Sequence, residues 1–572
     1  MGGIFGRNEG WEARLFNAAT SGIPIDLASG QSNREVQASK SKVWAGSRSV
    51  PADAIRAALL DPRLAPDPRG LQLRGVRVTG TLNLDYVTLP CRLKITQSGF
   101  DNEPSFNHCT LPALNLRGCS MPGLTFRAAR IKGDVFLERL QATREVRAVE
   151  ATIGGQINLT KSKLASHNSK ENALTLDGIK IKGDVFLCNL TATGEVRAVD
   201  AQIGGQLNLT GATLTNPEPR GDALTLDGIN IVSHVVLMRE ATGVVRAVGA
   251  RIGGQLILNG GILYGATMFD ANNVLSVCAL LLDGAHVRDD ALVNGITAHG
   301  VIRAIGAHFM STLSLSGEIL TSGRPQGDVL KLESITVARL KFDKGLTTNG
   351  TVNLAGAKIR HLSVGSSEGK IPSLSSAQGW AVGSIEGYFL TKRHSVVQWL
   401  RVNSEHVHAS SSRKVFVPQP WREMARVYEQ SGHPEEARWI RYKAAQEVTK
   451  AARIRSKILR WPYGGVVGYG YRPLFVVPWM VGIFAVSLVL AMVFHGDFTQ
   501  NPMVVTQSGV PGFNAFLYAL DTTIPAATTG QSAMFLIGKS AWLSATFAVL
   551  RSIAWILTAL LLAGISGILH KD

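Results

Sequence analysis

Residues 113 to 364 repeat themselves. Ala173-Leu-Thr-Leu-Asp-Gly178 returns fifty residues later as Ala223-Leu-Thr-Leu-Asp-Gly228. Val146-Arg-Ala-Val149 returns at Val196 to Val199, at Val245 to Val248 and, in weaker form, at Ile302 to Ile305. Ile153-Gly-Gly-Gln156 recurs at Ile203 to Gln206 and Ile252 to Gln255, and Lys132-Gly-Asp-Val-Phe-Leu137 recurs at Lys182 to Leu187. A fixed period defines an architecture before any single residue is read for chemistry. Each repeat is too short to bury a core alone, so neighbours must stack.

A finer rhythm runs inside the long one. Leu116, Met121, Phe126, Ile131 and Phe136 are spaced by five, and so are Leu114, Cys119, Leu124, Ala129 and Asp134. Five matches neither the helical period of 3.6 nor the strand period of 2. It fits a coil with short sides, each placing one or two residues inward. Leu207-Asn-Leu209 and Val185-Phe-Leu187 add local strand alternation. Gly183, Gly204, Gly205 and Gly228 are expected where a corner needs a positive φ or close backbone approach. Two coils per fifty residues gives about 25 residues per coil, and about 12 coils at the ~4.8 Å strand spacing make a stack on the order of 60 Å long.

The expected fold is therefore mainly β: a right-handed parallel β-helix with helical additions at both ends. Residues 1–70 read as an N-terminal cap, with helices over Trp11 to Thr20 and Pro51 to Leu60 covering the first coil. Residues 71–365 are the solenoid, interrupted at 164–172, 215–221 and 264–275. Residues 366–419 are a linker plus a last coil near Gly379 to Tyr388. Residues 420–460 form a basic helical hairpin, with Trp421 to Gly432 followed by Pro434 to Lys450 in a tetratricopeptide-like pattern. Residues 461–572 form a two-span membrane domain: 474–494 and 552–569 lack charges and are long enough to cross a bilayer.

Charge supports that last reading. Fifty-nine Lys and Arg against 42 Asp and Glu give +17, which suits an anionic partner. The expected lipid-headgroup contacts are Arg438, Arg441, Lys443, Lys450, Arg453, Arg455, Lys457, Arg460 and Arg472, ahead of the first span. Between the spans the basic residues are Lys539 and, bordering the second span, Arg551. The positive-inside bias puts both termini and the solenoid in the cytoplasm. Five scattered cysteines without a CxxC pair fit reduced core thiols, and Met1 to Gly10 lacks an apolar export core. Nucleic acid is the disfavoured partner, because a membrane accounts for the basic segment.

Candidate chemistry is sparse. No dinucleotide, P-loop, nucleophile-elbow or zinc motif occurs, so no catalytic, cofactor or metal residues are assigned. Glu405-His-Val-His408 has ligand-type residues, but histidines at i and i+2 in a polar segment are usually solvent-exposed, and Asp177, Asp227 and Asp283 read as corner residues. Val467-Gly-Tyr-Gly470 matches part of a potassium filter but precedes the first span, so it reads as an elbow with Tyr469 and Tyr471 at the interface. The stretch from Phe513 to Gln531 occupies the position of a pore helix, with Asp521, Thr522, Thr523, Thr528 and Thr529 as pore-loop candidates. The reading preferred to a pore there is an extracytoplasmic helix packed on the bilayer.

The coils resemble pentapeptide-repeat and related right-handed β-helix proteins. The full order of GDVFL, IGGQLNL, WREMARVYEQSG and GYGYRP resembles a group of bacterial, particularly actinobacterial, membrane-associated proteins. That resemblance implies attachment to the bacterial cytoplasmic membrane. The label often given to the group, membrane-associated oxidoreductase, implies a redox activity for which no cofactor motif is present. Three functions follow as expectations: a non-catalytic scaffold or sensor, a channel-like effector gated by the solenoid, and, on the label alone, an oxidoreductase. The expected partners are an anionic membrane, further copies of the chain and a protein docked on the coils.

Overall fold

A computed structural model describes the chain apart from residues 1–4, 32–35, 167–170, 270–274, 321–326, 344, 366–372, 403–415, 453, 503–511, 525–526, 528, 539 and 566–572. Two compact units result, Met1–Val407 and His408–Asp572.

The first unit is a stack of parallel coils. Leu71, Leu93, Leu114, Val135, Ile157, Val185, Leu207, Val235 and Leu256 lie over one another in unbroken parallel register. Ala291, Leu313, Leu340, Leu362 and Ile385 continue the column. All fourteen are buried. The column therefore holds fourteen positions where the repeat length alone suggested about twelve. At ~4.8 Å per step it spans roughly 60 Å.

Each regular coil has four short sides. Arg130–Ile131, Val135–Phe136, Gln141–Ala142 and Val146–Arg147 are followed by Thr152–Ile153, which pairs back on the first. The steps alternate between five and six residues, so the five-residue phase cannot persist. It holds from Leu116 to Ile131, all buried, and then slips. Val135 and Leu137 take the inward places, while Phe136 between them and Asp134 ahead of them, both expected inward, face outward.

The fifty-residue repeat is two unequal coils. Val185 to Leu207 is 22 residues, whereas Ile157 to Val185 and Leu207 to Val235 are 28 each. The difference sits at one corner. On the shorter coils that corner is turned at Gly194, Gly243 or Gly300, with φ of 111°, 120° and 148°. On the alternate coils the chain is longer at that point by the stretches 166–172, 216–221 or 265–277. Within the last, Ala266–Phe269 pairs antiparallel with Leu275–Leu281.

The repeated motifs interlock between coils. Asp134 Oδ1 accepts the Gln156 amide at 3.0 Å, and Asp184 Oδ1 accepts the Gln206 amide at 2.9 Å. A side chain at Gly204 would place Cβ 2.3 Å from the Lys182 carbonyl oxygen, so Ile-Gly-Gly-Gln can only sit on Lys-Gly-Asp as glycine. Asp177 accepts from the Val199 amide at 2.9 Å and from Arg197 Nε at 2.6 Å. Asp227 repeats this with Val248 and Arg246, and Asp283 with Ile305 and Arg303. These aspartates tie the following coil as well as marking their own corner.

Both ends of the stack are covered. Helix α1 (Phe5–Ser21) packs on α2 (Ala52–Leu60), burying Leu15, Ile55 and Leu59, while Ile25–Asp26 and Ser49–Pro51 pair onto the first coil. At the far end Ala381–Gly387 completes the last coil, followed by α3 (Tyr388–Thr391) and α4 (Arg393–Val402). Trp399 there packs against Trp380 and Phe389, with ring centroids 5.7 and 5.0 Å away. Cys91, Cys109, Cys119 and Cys278 are core residues and Cys188 is half-buried. Burial pushes the thiols of Cys109 and Cys119 up to about 12, so they are inert as nucleophiles near neutrality.

The second unit is helical. Its members are α5 (Gln419–Gln430), α6 (Pro434–Ala451), α7 (Ile454–Val467), α8 (Val476–Val493), α9 (Ala515–Thr523), α10 (Gln531–Met534) and α11 (Ala541–Ile565). Helices α5 and α6 form the expected hairpin around Trp421, Tyr428 and Trp439, with Pro at the start of each.

Candidate membrane region

Helix α8 carries no charge over 18 residues, about 27 Å of helix. Helix α11 is 25 residues long. Mean hydropathy reaches 2.4 and 1.9 over their most apolar stretches, yet only 17% of each stretch is buried. Both are long and apolar enough to cross a membrane. Val481, Val486, Val489, Met492, Val549, Ile553, Ile556 and Leu562 are all exposed.

The two helices run antiparallel. Phe494, just past α8, meets Trp542 near the start of α11, with centroids 5.1 Å apart. At the other end Val476 packs with Leu557. Exposed Trp479 and Trp555 lie towards that second end and exposed Trp542 at the first. Aromatic rings at both ends of an apolar pair match the belts of membrane interfaces.

The second apolar helix begins eleven residues before the expected 552. Phe547 and Leu543 pack inward, and Ser540 donates to Asp497 at 2.7 Å ahead of the helix start. Arg551, expected at the border, therefore stands inside α11, exposed and without an ion pair among the described residues.

The segment between the helices is built around aromatics. Phe498–Gln500 pairs antiparallel with Phe535–Ile537. Phe498, Phe513, Tyr518, Phe535 and Phe547 form one cluster. Helix α9 lies against both long helices: Phe516 meets Phe484, midway along α8, at 5.4 Å, and Tyr518 meets Phe547 of α11 at 5.5 Å. Asn514 caps α9, its Oδ1 accepting from the Phe516 and Leu517 amides.

The pore-loop candidates are drawn inward. Asp521 is buried and accepts the Thr529 amide at 2.6 Å and the Ser532 amide at 3.0 Å, clasping the return from α9 to α10. Thr522 and Thr523 are buried and donate to carbonyls of their own helix. Thr529 Oγ1 donates to the Leu517 carbonyl at 3.2 Å. Thr528 lies outside the described residues, as do Glu405 and His408. Sequence reasoning missed Asn514, Gln531 and the aromatic cluster. The density of Phe and Tyr between 494 and 547 was the available signal.

The basic residues divide. Arg438 pairs with Glu435, Arg441 with Glu429 and Lys450 with Glu447. Lys443 donates to Gln446 and sits over the rings of Trp439 and Tyr442. Arg472 stacks on Tyr442 and Phe475, 5.2 and 5.4 Å from their centroids. Arg453 and the side chain of Arg455 lie outside the described residues. Lys457 and Arg460 are exposed on α7 beside exposed Trp461. The Gly-Tyr-Gly turn at 468–470 is an elbow: Tyr469 has φ 56° and packs near Tyr442, 6.1 Å between centroids.

No family model matches the chain, and neither a curated protein nor a solved structure is found to be similar to it.

Proposed function

We propose that the chain is a non-catalytic scaffold or sensor anchored in a bacterial cytoplasmic membrane. Helices α8 and α11 span the bilayer, and the right-handed solenoid and both termini are cytoplasmic. The observation that carries this is the exposure of α8 and α11. A pair of helices this apolar and this open to its surroundings is stable in hydrocarbon and an aggregation hazard in water. Trp461, Lys457 and Arg460 on α7 then lie at the anionic headgroups, and Trp479 and Trp542 mark the two interfaces. The solenoid offers partners a long, ordered surface, with its recurrent Asp and Gly consumed by ties between coils. Reporters fused at position 510 and at the C-terminus test the topology. An external 510 with an internal C-terminus supports it, and a cytoplasmic 510 overturns it.

A second reading is a channel-like assembly of several copies. Arg551 favours it. A charge near the middle of a spanning helix costs about 2.5–3.5 kcal/mol and ordinarily faces a bundle interior or water. Helix α9, reaching the middle of α8, then forms the re-entrant element. Purified protein in planar bilayers separates the readings: conductance lost in Arg551→Leu supports a pore, and silent bilayers leave the scaffold.

A further inference from the structure

The solenoid carries a basic cleft that corner packing leaves unexplained. It lies between the N-terminal segment Val36 to Ser39 and one corner of the first coils, and encloses about 830 Å³. Arg74, Lys94, Arg117, Arg139 and Lys161 line it, with Glu138 the single carboxylate among the described residues. Two of the cations are structural. Arg74 holds Asp26 and Gln97, and Arg117 is clamped bidentate by Glu138. Lys94 has a neutral partner, Gln72. Arg139 and Lys161 are exposed and have no ion pair among the described residues.

The last two occupy a corner whose left-handed backbone is shared by Gln97 and Asn189, with φ of +50° and +52°. They sit on successive coils, the Arg139 and Lys161 amides each donating to the coil above. Their φ values are +57° and +61°, in the left-handed region. Gly118 on the preceding coil and Gly211 two coils beyond Lys161 occupy the same corner with φ of +66° and +73°. Glycine satisfies this corner without strain, so two long cationic side chains there are not required by the fold. The remaining lining is rich in donors, including Gln97, Gln141 and Thr160, and among the described residues contains no aromatic ring on which a base could stack.

We propose that this cleft binds an oligophosphate: a small anion with several linked phosphates, held by Arg139 and Lys161 on successive coils and by Lys94 two coils before Arg139. With coils about 4.8 Å apart, cations spread over four coils suit a chain of phosphates better than a single one. The cleft selects the phosphate chain and ignores whatever it is attached to.

Isothermal titration calorimetry of the full chain in detergent, with sodium tripolyphosphate and orthophosphate as probes, tests this. Tripolyphosphate is expected to bind saturably, more tightly than orthophosphate, and more weakly as salt is raised. The double variant Arg139→Gly/Lys161→Gly should weaken that binding by roughly tenfold or more with no loss of thermal stability, because glycine relieves both corners. Arg130→Ala, on a different side of the coil, should leave it unchanged. No saturable binding, or equal binding by the double glycine variant, overturns the proposal. So does binding of a single-stranded oligonucleotide that tripolyphosphate fails to displace, since the surface would then read a polymer.

Discussion

Alanine at Gly204 would set a methyl group against the coil below. Its Cβ would stand 2.3 Å from the Lys182 oxygen and 3.0 Å from that carbonyl carbon. Relief needs a local opening of about 0.7 Å, which stretches the Gly204 amide bond to Ile181, now 2.8 Å, to the edge of hydrogen-bond range. Overpacking costs about 1–3 kcal/mol and a weakened bond about 0.5–1.5 kcal/mol more, giving roughly 2–4 kcal/mol. Gly249→Ala is the comparison. Gly249 has φ +65° but open space around it, so alanine there meets only the left-handed penalty of about 1–2 kcal/mol. Urea unfolding of both full-length variants in detergent, followed by far-UV circular dichroism, orders them by midpoint. Midpoints are compared because a stack of coils need not unfold in one step. If Gly204→Ala unfolds at or above the midpoint of Gly249→Ala, close approach between the motifs does not govern this packing.

Asp227→Ala removes the acceptor for the Val248 amide and Arg246 and should cost about 1–3 kcal/mol; Asp227→Asn, which keeps a carbonyl oxygen, should recover part of it in the same unfolding assay. Burial raises the Glu195 carboxyl above its ordinary value, with Asp222 and Asp177 adding to the shift and Thr225 and Arg197 opposing it. The folded chain therefore holds that proton more tightly than the unfolded one, and stability from this group falls as pH rises from the unfolded to the folded value. Glu195→Gln should accordingly be at least as stable as the parent at pH 7, with the advantage vanishing in acid; a variant destabilised at pH 7 and matched in acid would contradict the burial argument. Val486→Arg places a charge on the exposed face of α8, which costs about 2.5–3.5 kcal/mol in hydrocarbon and almost nothing in water. Alkaline extraction of membranes should release more of this variant than of the parent, and equal retention would remove lipid as the neighbour of that face.

The repeat made the stacked architecture legible, since KGDVFL and IGGQ at a fixed offset have no use in a globular core. The extent of α8 was readable for a similar reason: an uninterrupted apolar run needs no partner to be recognised. The α11 boundary was not. Arg551 broke the hydropathy there, while Leu543 and Phe547 carry the helix on towards its start through contacts with Phe498 and Tyr518. The pore-loop residues were singled out by type and position, but hydroxyl and carboxyl groups beside a helix satisfy themselves on the nearest backbone, as Asp521, Thr522 and Thr523 do. Charge counting likewise named Arg438, Arg441 and Lys450 without the glutamates that neutralise them.

By itself the sequence determined that coils stack, that glycine is needed where they touch and that two helices are apolar enough for a membrane, because each is a local property repeated along the chain. Only the tertiary structure decided that fifty residues are a coil of 22 followed by one of 28 and that Asp177 serves the next coil. It alone brought Arg139 and Lys161 together at one corner beneath the N-terminal segment. Those facts depend on which residue lies above which, and that register is set by the corners, where a glycine or an insert changes the path without disturbing the apolar column it turns around.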